Sequence, residues 1–124
     1  MERRRDDWTA DVPVLMVTAC GRCGNHWYLP HEHCPVCGSD EVADVAASGG
    51  GLCVAVTRLH VTAEPTDAAA GPVRLALVEL DEGPVVMGRA HDDALSPGDR
   101  AVVSFRPDGH DGVLVPSFAQ AGSA

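Results

Sequence analysis

Two Cys-x-x-Cys-Gly knuckles, Cys20-Gly21-Arg22-Cys23-Gly24 and Cys34-Pro35-Val36-Cys37-Gly38, constrain this chain more than any other feature. A two-residue spacer lets both thiolates of a pair face one ion, and four thiolates close a tetrahedral site around Zn²⁺. Glycine after the second cysteine tolerates positive φ, which turns backbone N–H groups toward the sulfurs. Ten residues separate the pairs. That length suits a two-stranded ribbon that crosses back to complete the site. Four-thiolate coordination leaves no open position, so the expected metal is one structural zinc held by Cys20, Cys23, Cys34 and Cys37. Its binding energy would fold a ribbon too small for a core of its own. Rubredoxin-type iron is the competing metal, and a redox dithiol the competing chemistry.

The other chemical groups in the sequence are weaker signals. Cys53 sits within Leu52-Cys53-Val54-Ala55-Val56 and reads as a small buried hydrophobe in a strand. His31 and His33 flank Glu32 beside the second knuckle, but four cysteines already complete the ligand set. Asp81-Glu82 and Asp92-Asp93 are neighbours in turns, whereas paired acid–base chemistry needs carboxylates opposed across a cleft. Gly49-Gly50-Gly51 lacks the Lys and Ser/Thr of a phosphate loop and reads as a linker or bend. No nucleophile–base set is visible, so the expectation is a chain that is not itself an enzyme.

The 124 residues carry 18 acidic and nine basic side chains, every basic one an arginine, for a formal charge of −9. Four thiolates and one Zn²⁺ take it to −11. Such a balance argues against a phosphate-backbone binder, and an aromatic content of 4% argues against base stacking. No apolar run is long enough to span a membrane, and no apolar stretch follows the charged N-terminus as in a signal peptide. The expected location is the cytoplasm, where cysteines more often bind metal than pair as disulfides.

The pattern divides the chain into an arm over 1–13, either mobile or a short helical turn, a ribbon over 14–46, a barrel over 47–119 and a flexible tail over 120–124. A strand is expected over 12–19, leading into Cys20, and a connector over 39–48. Further strands are expected over 52–62, 73–80, 85–90, 100–105 and 113–118, with a loop over 63–72 and turns at Asp81-Glu82-Gly83-Pro84, Ser96-Pro97-Gly98-Asp99 and 107–112. Five short strands without a helix predict a mainly β chain, with a small closed barrel that hides its edges. Trp27 and Tyr28 are expected to pack in the ribbon core.

In this order, these motifs resemble a bacterial and archaeal family with a rubredoxin-like zinc ribbon and a C-terminal OB-fold, associated with acyl-CoA thiolases and related enzymes. The resemblance rests on both knuckles, on Leu75-Ala76-Leu77-Val78-Glu79-Leu80-Asp81-Glu82-Gly83-Pro84 with Val86-Met87-Gly88-Arg89, on Pro97-Gly98-Asp99-Arg100-Ala101-Val102, and on Val115-Pro116-Ser117-Phe118. It spans about residues 14–118. Leu29-Pro30-His31 stands where the family tends to have Pro-Pro-Arg, exchanging a fixed cation for a titratable one.

The resemblance implies a non-catalytic accessory subunit. It would bind a thiolase-superfamily enzyme, or a related aldolase or acyltransferase, and help hold or channel the CoA thioester. Arg58, Arg74 and Arg89 lie on barrel strand patterns and are the candidates for CoA phosphates. An acidic chain should bind CoA poorly alone, so a pocket completed by the partner fits the charge better. The alternative is a zinc-ribbon and OB-fold nucleic-acid module.

Overall fold

The computed structural model describes residues 6–29, 31–59, 73–91, 94–108 and 113–121. They form eight strands and one 3₁₀ turn (Trp8–Ala10): β1 (Met16–Cys20), β2 (His26–Trp27), β3 (Val42–Ala46), β4 (Gly50–Leu59), β5 (Val73–Leu80), β6 (Val85–Ala90), β7 (Arg100–Asp108) and β8 (Val113–Gln120). The first three make a small sheet in the order β2-β1-β3, and the other five close a barrel in the order β4-β5-β6-β8-β7. All barrel pairings are antiparallel except β6 with β8, where Arg89 faces Ser117 and Ala90 faces Phe118. This strand order is that of an OB-fold, and the mainly β architecture expected from the sequence is present.

Alternation fills the barrel. On β5, Ala76, Val78 and Leu80 are buried while Leu77 and Glu79 face out. On β6, Val86 and Gly88 point in. Phe118 of β8 is fully buried among them. Gly88 is small for a reason: a Cβ there would sit 2.8 Å from the Phe118 ring and 2.8 Å from the Pro116 carbonyl oxygen. The Pro116-Ser117-Phe118 closure is thus built around a missing side chain. Leu95, in the loop before β7, is also fully buried in this core.

The core is not confined to the barrel. Leu15 and Val17 belong to the same buried cluster as Val78, Val86 and Phe118. The 3₁₀ turn is capped by Asp7, whose carboxylate accepts from the Thr9 amide at 3.0 Å and from the Thr9 hydroxyl. Trp8 then packs against the core, and its indole N–H donates to the Tyr28 hydroxyl at 3.0 Å. The expected short helical turn is therefore present and docked on the barrel.

Three expectations need correction. The first strand starts at Met16, because Val12 and Val14 are spent on a turn: Val12 N–H bonds the Asp7 carbonyl and Val14 N–H the Val12 carbonyl. The connector over 39–48 contains β3, whose Ala43, Asp44 and Val45 pair with Ala19, Thr18 and Val17. Gly50 and Gly51 are strand, not linker, because close packing demands glycine: a Cβ on Gly51 would collide with the Glu79 carbonyl oxygen and lie 2.8 Å from Val78. The expected turns Asp81–Pro84 and Ser96–Asp99 are present, with Gly83 and Gly98 at φ 117° and 95°. The loop over 63–72, Asp92-Asp93, His60 and His110 lie outside the described residues, as does most of the 107–112 turn. Pro107 and Asp108 continue β7.

Gly88→Ala should cost about 1–3 kcal/mol of stability by overpacking against Phe118 and Pro116. The urea midpoint of the zinc-loaded chain should fall while its zinc content stays unchanged.

Candidate metal centre

Each knuckle makes the same turn. Gly24 N–H bonds the Cys20 carbonyl at 3.0 Å, and Gly38 N–H bonds the Cys34 carbonyl at 2.9 Å. Both glycines adopt the left-handed conformation, with φ 81° and 78°. The turn aims amides at the first sulfur of each pair. Arg22 and Cys23 donate to Cys20 Sγ at 3.3 and 3.4 Å, while Val36 and Cys37 donate to Cys34 Sγ at 3.4 and 3.5 Å. The loops close symmetrically as well: Cys20 N–H bonds the Asn25 carbonyl, and Cys34 N–H bonds the Ser39 carbonyl, both at 2.8 Å.

All four sulfurs lie within 4.8 Å of one another. Cys20 and Cys37 approach to 3.6 Å, as do Cys23 and Cys34. Sulfurs ~2.3 Å from a central ion lie about 3.8 Å apart in a tetrahedron, so the cage fits Zn²⁺. The first cysteine of each pair is buried and the second exposed. Trp27 and Val42 cover the buried side. Trp27 therefore packs in the ribbon core as expected, whereas Tyr28 turns to the barrel and Trp8. His31 and His33 are exposed and stand outside the sulfur cluster.

Hydrogen bonding and burial act in opposite directions on the sulfurs. Hydrogen bonding from the Cys23 amide, reinforced by that of Arg22, lowers the Cys20 thiol pKa against the opposing effect of burial. Burial raises Cys34, but amides of Cys37 and Val36 and the neighbouring thiols outweigh it and bring the pKa to about 6. At Cys23 the Asn25 amide lowers the pKa, yet burial and the neighbouring sulfurs push it up to about 12. The site thus stabilises some thiolates and resists the rest. A divalent cation removes that resistance, and four thiolates with no open position suit one structural zinc.

Cys53, outside the cluster, is 1% exposed, and burial raises its thiol pKa. Its sulfur lies 3.6 Å from the Ala55 carbonyl oxygen, so the buried-hydrophobe reading holds.

The three candidate arginines do not converge. Arg58 and Arg74 face each other across β4 and β5. Arg89 pairs with Leu75, one residue out of that register, and so lies on the outward set of β6. Arg74 donates to the Leu95 carbonyl at 3.2 Å, a latch on the loop that closes the barrel. Sequence patterning gave no hint of that latch, because its acceptor is a backbone group in a loop.

Cys34→Ser should lose stoichiometric zinc and unfold the ribbon. Metal analysis and near-UV circular dichroism should show both changes, and the urea midpoint of the barrel should fall with them, because Leu15 and Val17 belong to its core. The Cys34 pKa is lowered from 9 to about 6, so its thiolate's stabilising contribution is present above pH 9 and lost as pH falls through about 6. Bound zinc shifts that loss lower. Zinc release to a chromogenic chelator should therefore accelerate only below about pH 6.

Residues 8–43 match the family described as the ChsH2 rubredoxin-like zinc ribbon domain, and residues 44–106 match the ChsH2 C-terminal OB-fold domain. No curated protein matches the chain. Among solved structures, a chain from one titled "Ltp2-ChsH2(DUF35) aldolase" is similar at a TM-score of 0.71 and 26% sequence identity. The similarity covers 87% of this chain and 85% of that chain. With ribbon and barrel both matched in order, the chain belongs to the ChsH2 zinc-ribbon and OB-fold family.

Proposed function

We propose that this chain is a non-catalytic accessory subunit of an acyl-CoA carbon–carbon bond enzyme, a thiolase-superfamily protein or related aldolase. The observation that carries this reading is the similarity, over 87% of the chain, to a chain of the solved structure titled "Ltp2-ChsH2(DUF35) aldolase". The site chemistry is compatible with it. Four thiolates fill the zinc shell and leave no place for substrate, and the remaining cysteine is buried with its thiol pKa raised. On this reading the partner supplies the reacting groups, and both proteins work in the cytoplasm.

The barrel would help hold the CoA thioester at a surface shared with the enzyme. Arg58, exposed at the end of β4, and Arg74 opposite it are the pair best placed to meet a phosphate. Arg89 faces elsewhere on the barrel and would have to contact the cofactor separately. The net charge of −9 disfavours a tight CoA site on the isolated chain.

Purification of the tagged chain from its native cells, followed by mass spectrometry, should bring down an acyl-CoA lyase or thiolase in stoichiometric yield. A chain that elutes without such an enzyme at low salt overturns the reading, and a chain that elutes with nucleic acid supports the alternative module. In the reconstituted complex, Arg58→Ala should weaken CoA binding about tenfold, the size of one charge-assisted hydrogen bond. Calorimetry on the isolated chain should detect little CoA binding with either sequence.

A further inference from the structure

The barrel wears an apolar coat on one side. Strand alternation on a solvated sheet should place polar residues outward. Along β5 and β6 the outward set instead contains Leu77, Val85 and Met87, which are 39%, 49% and 59% exposed. Leu77 and Met87 are register partners, and Val85 is two residues from Met87 on the same face. In the next row Leu52, Glu79 and Val85 lie side by side across three strands, with Leu52 40% exposed.

This face runs on into the ribbon. Val85 and Pro84 also line a cavity of about 330 Å³, whose opposite wall is Tyr28, Leu29 and Pro35. Leu29 itself is 66% exposed. A largely apolar surface therefore joins barrel, cavity and second knuckle, with His26 and His31 as the polar groups of the cavity lining. A socket beside an apolar field is the arrangement that binds an anchoring side chain at a protein interface.

We propose that this Leu77–Val85–Met87 face, with the cavity beside it, is the docking surface for the enzyme partner. The partner's matching patch would be apolar, with an arginine or lysine set against Glu79. The proposal rests on the accessory-subunit reading above. Charge selects the occupant. A second zinc-loaded copy of this chain would bring −11 against −11, so self-association through this face is opposed. A partner with basic groups around an apolar centre relieves that penalty.

The test uses the full zinc-loaded chain and the purified acyl-CoA enzyme that mass spectrometry identifies with it. Met87→Glu and Leu77→Glu should each weaken the complex about tenfold or more, while Met87→Leu restores binding. Glu79→Lys should weaken it and reduce its salt dependence. Ser104→Glu, which adds the same charge elsewhere on β7, should leave binding unchanged, and zinc content and circular dichroism should match the parent in every variant. If the parent chain binds the enzyme and Met87→Glu and Leu77→Glu bind equally well, the docking face is wrong and the accessory role stands. If the parent chain binds no acyl-CoA enzyme, the accessory reading falls and takes this face with it. If the isolated chain sediments as a dimer that Met87→Glu dissolves, the occupant is a second copy and the proposal is overturned.

Discussion

Strand β1 does two jobs, and the rest of the molecule is arranged around it. Leu15 and Val17 enter the barrel core, while Cys20 at its end holds the metal. The two-residue period of a strand makes this possible. Val17 and Cys20 have opposite parity, so one face can serve the barrel and the other the ribbon. Thr18, fully buried on the Cys20 face, donates its hydroxyl to Asp44 of β3 at 2.9 Å and ties the third strand on. A ribbon of this size has little core of its own, and metal alone would leave it swinging on its connector. Sharing β1 fixes its orientation on the barrel.

Two further contacts fasten the same joint. Trp8 and Tyr28 are twenty positions apart, and their hydrogen bond closes the N-terminal turn over the start of the ribbon loop. On the other side the Ser48 amide donates to Glu82 at 2.8 Å, joining the segment between ribbon and barrel to the β5–β6 turn. In that turn Asp81 accepts both arms of Arg100 at 2.7 and 3.0 Å, an exposed bidentate pair that lowers the carboxyl pKa. Exposed pairs of this kind contribute little to stability. Its consequence is local: the turn that carries Glu82 and Pro84 is held against β7.

The metal site was legible in the sequence because knuckle chemistry is local. Spacer length, glycine and four sulfurs all lie within nineteen consecutive residues. Barrel strands were legible where Gly, Pro and Asp mark their ends, and β5 and β6 match their expected limits. Strand β3 was hidden because Ala43, Asp44 and Ala46 lack β propensity and its two valines, Val42 and Val45, do not alternate with period 2; pairing with β1 supplies what the side chains do not. The face of each arginine was hidden for a different reason. A bulge between Cys53 and Ala55 reverses the alternation within β4. Cys53 faces Val78 in the interior, yet beyond the bulge the interior residue is Val56, opposite Ala76. Unbroken alternation from Cys53 would have placed Arg58 on the outer face. The bulge brings it into line with Arg74 at the barrel end.

That reversal bears on how a phosphate could be received. Arg58 and Arg74 are register partners, and Arg74 gives one N–H to the Leu95 carbonyl. On the proposed reading a phosphate would meet this pair, but the chain's net charge of −9 opposes its approach from solvent. The balance changes when a basic surface is brought up alongside, because the added cations lower the cost of the anion for both proteins. Binding of enzyme and of CoA would then be linked, each strengthening the other by the same factor. On the proposed accessory role, an acidic barrel with an arginine pair and an apolar outer face would therefore suit a ligand shared with the enzyme better than one held alone.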